Sequence, residues 1–482
     1  MDTAILTQTK NKNKTYREIS FFYSTWFTVA LSVFVYLFWI LDLGLYGLTV
    51  LIVLAGAICA LCKDLSPLIP IMFLFLQCVS DVMNAANAYV FYICAFSLLI
   101  VGVVIHFIRF TPYKNYGKIK GFSVATAFVG LSIILGGITL SSERSLFPAL
   151  ITVFYGILAT GSGFFFCITL GQNNEKRLTK TVMNAILAAS AVAFVQLLTV
   201  IFQSDNPLSA IGSKYALNTG YGHPNYIANI IARSLPICIY LSVSNKKYSF
   251  LWLVAAFVCG ASIILTRSRA TLLIAFIISV VCLIYFFPKL EYKINWICTL
   301  AMLIGLSFIL IAAFSNRIVP LFKKIIERGF SSSGRTDLWK LGLQRFKENP
   351  IFGVGLDYDL GGRTELNPTN TPYTPFWYHN TIVQILCSLG IFGLIAYGFY
   401  FYRQYHAFAL AKSPALKSLM FVLITIQAIS LLDIFFLTPQ EFLQMIFITV
   451  PAVRALSPDK DNTLFYDVAN KIKLIKTKRR QL

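Results

Sequence analysis

The sequence "TPFWYHNTIVQILCSLGIFG", Thr374–Gly393, changes character at His379-Asn380. Before this point the chain is polar and rich in proline and aromatic residues, and after it an apolar stretch of membrane-spanning length begins. Only 4 histidines occur in the 482 residues, and one of them stands at this boundary. The stretch therefore predicts a membrane helix that carries a polar site at its start.

Similar apolar stretches occur along the whole chain. The hydrophobic share is 57% and the mean hydropathy is +0.71, whereas a soluble domain has an apolar share nearer half. A window of about 20 residues predicts roughly fourteen spans, of which the third is short and the last two are weak. They lie near residues 20–41, 43–62, 66–80, 88–108, 120–140, 147–170, 180–203, 225–244, 248–266, 269–287, 296–314, 379–402, 415–435 and 439–456. We expect an all-α polytopic membrane protein with about 12–14 transmembrane helices.

Charge asymmetry between the connections predicts the orientation. Alternate connections such as "CKD", "RFTPYKNYGKIK", "GQNNEKRLTK" and "PKLEYK" carry Lys or Arg, whereas those on the opposite side, Asp42, "SDVMNAANA", "SSERS" and "TPQE", are nearly free of positive charge. By the positive-inside rule both termini face the cytoplasm, and the first segment, which lacks a small-residue cleavage site, stays as an anchor. The expected organisation is a basic cytoplasmic N-terminus (1–19), transmembrane helices 1–11 (20–314), a large extracytoplasmic loop (315–378), C-terminal transmembrane helices (379–456) and a basic cytoplasmic tail (457–482).

The net charge of +21 does not indicate nucleic-acid binding. Most basic residues stand in short turns between apolar segments and in the tail "KIKLIKTKRR", a distribution that suits contact with anionic membrane lipid. The 10 cysteines fall in or beside apolar segments without metal-ligand spacing, so we interpret them as small buried hydrophobic residues.

Within the large loop, "GRTDLWKLGLQRFKENP" (334–350) predicts an amphipathic helix. Thr336 is the expected N-cap, Asp337 suits the first turn, and Asn349-Pro350 ends the helix. The face expected to pack comprises Leu338, Trp339, Gly342, Leu343 and Phe346. Such a helix lies flat on the membrane or roofs the bundle.

Two arginines, Arg267 and Arg269, stand in the short hairpin "TRSR" on the positive-poor face. Long basic side chains often extend from a helix end to the interface, which is the purely structural interpretation. The functional interpretation is an anionic site, because a guanidinium donates paired hydrogen bonds to phosphate and stays charged. Arg335, beside the start of the loop helix, admits the same two interpretations, since free N–H groups there also attract an anion.

His379 can be an interfacial histidine or a general base. The positive end of its own helix and nearby arginines are expected to keep the imidazole neutral, as a base requires. Asn380 can orient a sugar or the imidazole. His223, followed by Asn225 and Tyr226, either contacts substrate or belongs to a polar turn that opens a helix.

Other motifs give weaker evidence of function. "DYD" (Asp357–Asp359) is similar to the Asp-x-Asp metal site of nucleotide-sugar glycosyltransferases, but nucleotide sugars are cytoplasmic and this motif is predicted outside. The chain has no Walker loop, no zinc-type cluster and no Gly-x-Ser-x-Gly elbow. Neither a metal nor a cofactor is therefore expected.

Taken in order, three motifs resemble the O-antigen ligase and polymerase superfamily. They are "GYGHPNYIANIIA", "LTRSRATLLIAF", and "GRTDLWKLGLQRFKENPIFGVG" followed by "YHNTIVQILCSLGIFGLIAYG", within roughly 215–405. The resemblance implies a metal-independent, inverting GT-C glycosyltransferase in the cytoplasmic (inner) membrane. Its active site faces outward, its donor is a glycan on a polyprenyl (undecaprenyl) pyrophosphate, and its acceptor is a glycan or a lipid-linked glycan.

By position in these motifs, the resemblance implies three catalytic residues, Arg269, Arg335 and His379. Substrate contacts are expected from Arg267, Asn380, His223, Asn225 and Tyr226. The aromatic residues Tyr221, Tyr373, Trp377 and Tyr378 can stack on sugar rings or anchor the interface.

The product class stays open. Polymerase and ligase differ in the acceptor and share these motifs; about fourteen spans rather than twelve favours a polymerase slightly. A transporter or flippase for lipid-linked sugars is the alternative from another class. A transporter typically has broken spans with polar groups at mid-membrane, whereas this chain is expected to concentrate its polar residues in one outer loop.

Overall fold

The computed structural model describes residues 19–80, 89–111, 120–143, 146–171, 174–207, 217–220, 224–313, 335–356, 378–432 and 438–456. Within these ranges the regular secondary structure is entirely helical. The α-helices are α1 Thr25–Ile40, α2 Gly44–Leu61, α3 Leu68–Leu74, α4 Tyr89–Phe110, α5 Lys120–Glu143, α6 Leu146–Thr169, α7 Glu175–Gln203, α8 Pro224–Ala232, α9 Leu235–Ser244, α10 Ser249–Thr266, α11 Arg269–Phe286, α12 Lys293–Ala313, α13 Arg335–Glu348, α14 Thr381–Leu410, α15 Pro414–Ser430 and α16 Pro439–Ala455.

Each of the predicted apolar segments contains helix, so the prediction of an all-α polytopic membrane protein is confirmed at that level. Among the described residues, 8 helical stretches are long and apolar enough to cross a membrane. Shorter apolar helices include α1, α15, and α3 with the 3-10 turn that extends it to Cys78. The full number of spans, the orientation and the domain boundaries stay predictions.

Large apolar side chains on the outside of the bundle indicate a lipid-facing surface. Trp26 of α1, Ile108 of α4, Phe276 of α11 and Ile395 of α14 are all more than half exposed. A soluble monomer rarely exposes apolar residues on so many of its helices. The cysteines behave mostly as predicted: Cys59, Cys62, Cys78, Cys167, Cys238, Cys282 and Cys387 are buried, Cys259 is half-buried and Cys298 is exposed.

The predicted span 225–244 is not one continuous helix. It divides into α8 and α9 at Arg233-Ser234, and Pro236 follows in the first turn of α9. A proline at the start of a helix has no N–H that the helix would leave unpaired, so the second piece begins there readily. The span predicted at 225–244 is confirmed as the apolar stretch Pro224–Ser244, and the turn inside it was not predictable because pattern counting registers apolarity alone.

A buried ion pair occupies this break. Arg233 Nη2 lies 2.8 Å from Glu441 Oε1, and Arg233 Nη1 donates to Gln444 Oε1 at 2.5 Å. Gln444 Nε2 in turn donates to the backbone oxygen of Met72 at 3.1 Å. The pair joins α8 to the first turn of α16 and, through Gln444, to α3. The expectation that polar groups are concentrated in one outer loop was therefore wrong, since the bundle core holds a charged network as well.

The span predicted at 379–402 also has a break. Gly390 adopts φ 67° and ψ −164°, a conformation that glycine alone adopts without a large steric cost. The residues after α13, Asn349–Leu356, lie against this break, and we call them the strap. Four backbone hydrogen bonds join the two: Val354 N to Cys387 O at 2.8 Å, Gly355 N to Ser388 O at 2.9 Å, Ile391 N to Pro350 O at 2.9 Å and Phe392 N to Ile351 O at 3.1 Å.

We predict that Glu441→Ala destabilises the fold, because it leaves the Arg233 guanidinium buried without its counter-charge. Breaking a buried ion pair costs about 3–5 kcal/mol, whereas replacing both partners by apolar residues is often neutral. The melting temperature of the detergent-solubilised protein measures the change. Arg233→Met combined with Glu441→Leu should recover most of the loss, and an unchanged melting temperature in Glu441→Ala would contradict the prediction.

Candidate active site

The hairpin of the two arginines is short and well packed. Residue Arg267 ends α10 in the left-handed conformation with φ 55°, and Ser268 alone separates it from Arg269, the first residue of α11. Ser268 is buried, and its hydroxyl donates to Thr271 Oγ1 at 2.9 Å. The buried hydroxyls hold the turn, so both half-buried guanidinium groups extend from a rigid point between two helices.

Tyr378, just before the start of α14, is held inside the bundle. Its side chain is 0% exposed, its backbone N–H donates to Gln384 Oε1 at 3.0 Å, and its hydroxyl accepts from Cys387 Sγ at 3.4 Å. The prediction that Tyr378 can stack on a sugar ring was wrong, because the ring is enclosed by protein. Buried Tyr378 instead anchors the chain immediately before His379.

The next residue, His379, is half-buried and has φ 50°, an uncommon conformation for a residue other than glycine. It stands between the anchored Tyr378 and α14, which begins at Thr381 rather than at His379 as predicted. Thr381 is buried, and its hydroxyl donates to the backbone oxygen of Ser430 at 2.7 Å. The imidazole therefore projects from a backbone position fixed on both sides.

Asn380 has a structural role that the sequence analysis did not predict, and its predicted role toward substrate stays a prediction. Its Oδ1 accepts hydrogen bonds from the backbone N–H groups of Ile382 at 2.9 Å and Val383 at 3.1 Å, so Asn380 is the N-cap of α14. An asparagine directly before an apolar stretch is itself a capping signal, which the sequence offered. Because Oδ1 is occupied, any substrate contact of this side chain would have to come from its NH₂ group.

The loop helix α13 packs against the start of α14. Gly342 is buried, and a Cβ at this position would lie 2.5 Å from Val383 Cγ1 and 3.0 Å from Tyr378 Cδ1. Leu338, Trp339 and Leu341 pack on the same cluster, whereas Leu343, which was predicted on this face, is 43% exposed. The loop helix therefore packs on the bundle at the start of α14, and its placement relative to the membrane stays a prediction.

The helix also begins earlier than predicted. Its first residue is Arg335, so Thr336 lies inside the first turn and is not the N-cap. Arg335 lies seven residues before Gly342, which corresponds to about 10 Å along the helix axis from the contact with Tyr378. Asp337 stands in the first turn and Arg345 and Lys347 in the last, as suits the helix dipole.

The first turn of α8 carries Asn225 and Tyr226, which are both half-buried. Helix α8 packs against α10 and α11, the two helices of the arginine hairpin. Tyr226 lines a small cavity together with Gln77, Arg233 and Gln444. The side of α8 that carries Tyr226 therefore borders the buried charged network.

These elements lie at one end of the bundle, which we call the site end. Helix α8 starts there, α10 ends there, α11 starts there, and α14 starts there beside the end of α15. Phe286, at the far end of α11, packs on Phe421 in the middle of α15 with ring centroids 6.0 Å apart, so these two helices lie side by side. His223, Tyr221, Tyr373, Trp377 and the Asp357–Asp359 motif lie outside the described residues.

The helices and the lipid-facing surface define a multi-pass membrane protein, and the candidate site at one end of it contains arginines and a histidine. Residues 254–398 match the family model described as O-antigen ligase. The chain thus carries an O-antigen ligase domain, and the predicted O-antigen ligase and polymerase superfamily is confirmed over these residues. The matched range includes Arg267, Arg269, Arg335, His379 and Asn380. None of the curated proteins matches the chain.

We predict that Asn380 acts as a cap. Asn380→Ala should destabilise the start of α14 by about 1 kcal/mol, and Asn380→Asp or Asn380→Ser should restore it, because each supplies an oxygen acceptor. The measurement is hydrogen exchange at the amides of Ile382 and Val383, together with transferase activity. Activity that stays lost in both Asp and Ser variants while exchange is restored would show that the amide group itself contacts substrate.

Proposed function

We propose that this protein is a glycosyltransferase that moves a glycan from a polyprenyl-pyrophosphate carrier to a sugar hydroxyl. The reaction takes place on the outer face of the cytoplasmic membrane, in the synthesis of a surface polysaccharide such as O-antigen, capsule or exopolysaccharide. Charge asymmetry between the connections supports the orientation, since it predicts that the site end faces outward.

One observation carries the proposal. The arginine hairpin, the first residue of the loop helix and the capped start of α14 occupy the same end of the bundle, within the range that matches the O-antigen ligase family. Helix α13 and α14 are packed on each other through Gly342, Tyr378 and Val383, so Arg335 and His379 belong to one packed unit. Cations and an imidazole at the same end of the bundle suit transfer from a pyrophosphate.

The chemistry requires stabilisation of a leaving group. The acceptor oxygen attacks the anomeric carbon with inversion, the bond from that carbon to the pyrophosphate oxygen breaks, and the bonding electrons pass to the pyrophosphate. Negative charge therefore grows on a group that Arg269, Arg335 and Arg267 can bind through paired N–H donors. Charges that are already in position need no reorganisation during the reaction, which is why such groups often supply the largest catalytic contribution.

The acceptor hydroxyl must lose its proton during the attack. His379 is the group proposed to accept it or to orient the hydroxyl, and the proton leaves on the imidazole in the first case. Its backbone is held by Tyr378 on one side and by the Asn380 cap on the other. Such rigidity suits a group that must meet the acceptor at hydrogen-bonding distance.

We predict that Arg269→Ala and Arg335→Ala each lower the transfer rate by about 10²–10³-fold, the cost typical of losing one charge-stabilising donor. His379→Ala should lower the rate by about 10²–10⁴-fold if the imidazole accepts the proton. The assay uses purified protein and a synthetic polyprenyl-pyrophosphate donor. Lys347→Ala removes an exposed cation from the same loop helix as Arg335 and should leave the rate unchanged. Full transfer by all three site variants would refute the assigned site.

We also predict that EDTA leaves the transfer rate unchanged, because arginine charges replace a divalent cation at the leaving group. Loss of activity in EDTA, restored by added Mg²⁺ or Mn²⁺, would instead support the metal interpretation of Asp357–Asp359. Arg269→Lys adds a second test, since lysine keeps the charge but loses the planar pair of donors. A lower transfer rate in this variant would show that the paired donors are needed at the leaving group.

The acceptor decides between polymerase and ligase, and we favour the polymerase. A deletion strain separates them: chains held at one repeat unit indicate a polymerase, and long chains left on the carrier lipid indicate a ligase.

The buried Arg233–Glu441 pair, at the break between α8 and α9, is the observation that favours a transporter or flippase as a second candidate. Broken spans with charged groups inside the bundle are typical of transporters. Movement of a labelled lipid-linked sugar across vesicles by His379→Ala protein, without transfer, would support that candidate.

A further inference from the structure

A second concentration of positive charge lies at the end of the bundle opposite the site end. A cleft with a volume of about 470 Å³ opens between the start of α1 and the start of α7. Three cationic residues line it, Lys176, Arg177 and Lys180, and none of its described lining residues is acidic. Helix α7 has 29 residues and is therefore about 43 Å long, so the cleft is a full membrane thickness away from the arginine hairpin.

One wall of the cleft is rigid and its charge is balanced. Arg177 Nη2 lies 3.1 Å from Asp64 Oδ2, and the guanidinium carbon lies 4.3 Å from the centre of the Tyr23 ring. The other carboxylate oxygen of Asp64 accepts from the backbone N–H groups of Ser66 and Gly171, each at 3.0 Å. Asp64 is thus fully engaged with this wall and does not neutralise the two lysines.

The two lysines are the unbalanced charges. Lys176 and Lys180 are four residues apart, so they share one face of α7, and both are exposed. Within the described part of the chain, neither ammonium group has a hydrogen-bonding or ion-pair partner. Like charges at this spacing repel, and the positive end of the helix dipole adds to the repulsion. An anion in the cleft would relieve both effects.

The cleft adjoins the seam between α1 and α7. Helices α1 and α7 run side by side, with Asn184 Nδ2 3.3 Å from Thr25 Oγ1 at the cleft and Tyr36 Oη 2.9 Å from Thr199 Oγ1 farther along. Exposed side chains beside this seam are apolar: Val29 and Val33 on α1, and Ala191 and Val195 on α7. The binding surface thus has a cationic head region and a hydrocarbon-lined extension, which suits an amphiphile better than a free phosphate.

We propose that this cleft binds the headgroup of an anionic phospholipid, with its acyl chains along the seam between α1 and α7. Basic pockets between membrane helices are a recurrent way of holding such headgroups. The N-terminal residues 1–18 are an unsuitable occupant, because they contain four Lys or Arg and two acidic residues and are themselves positively charged. By the charge rule the cleft faces the cytoplasmic leaflet, where a lipid would be held independently of glycan transfer.

The test uses Trp26, which is 74% exposed and adjoins Thr25 of the cleft. The full chain is reconstituted in phosphatidylcholine bilayers that contain brominated phosphatidylglycerol or brominated phosphatidylcholine, and bromine quenches nearby tryptophan fluorescence. The Trp26 contribution is the difference between the protein and its Trp26→Phe variant. We expect brominated phosphatidylglycerol to quench Trp26 more strongly than brominated phosphatidylcholine does. The double variant Lys176→Gln with Lys180→Gln should lower this preference by roughly fivefold for each lysine removed.

The control is Lys246→Gln with Lys247→Gln, which removes two exposed lysines from the same end of the bundle outside the cleft. The proposal is supported if this control still shows preferential quenching of Trp26 by brominated phosphatidylglycerol and the cleft variant does not. Equal loss in both variants would overturn it, because general surface charge would then be sufficient. Suppression of the preference by inorganic phosphate, but not by chloride at equal ionic strength, would also overturn it in favour of a free-anion site. Unchanged quenching by brominated phosphatidylcholine shows that the variants are folded.

Discussion

The hydrocarbon core of a membrane contains no water to bind an unpaired peptide group, and the site depends on how the chain meets this constraint. A break in a membrane helix leaves backbone N–H and C=O groups that must find partners inside the protein. At Gly390 the strap supplies four of these hydrogen bonds. The first part of α14, which follows His379, is thus oriented by residues of the large loop rather than by the rest of its own helix.

This arrangement physically links two residues that the proposal requires together. The strap directly follows α13, which begins with Arg335, and α13 itself packs on Tyr378 and Val383. A displacement of the loop would therefore move Arg335 and the start of α14 together. The bonds are backbone bonds, so they depend on conformation more than on side-chain identity.

Three groups of charged residues in the described part of the bundle have different physical roles. The hairpin arginines at the site end are half-buried, where they can contact a substrate. The Arg233–Glu441 pair is buried and matched, and its net contribution to stability is small because desolvation offsets the attraction. The lysines of the opposite cleft are exposed and unmatched, a state that favours an external anion.

The sequence by itself determined the features that local chemistry dictates. Apolar runs of sufficient length must be buried or face lipid, so the helical segments were predictable, as was the loop helix from its amphipathic pattern. The motifs around Arg269, Arg335 and His379 also sufficed for the family. Contacts between distant segments required the tertiary structure. The break at Gly390, the burial of Tyr378 and the pairing of Arg233 with Glu441 were not predictable from local patterns, because each depends on which segment packs opposite, and neighbours along the chain do not encode that.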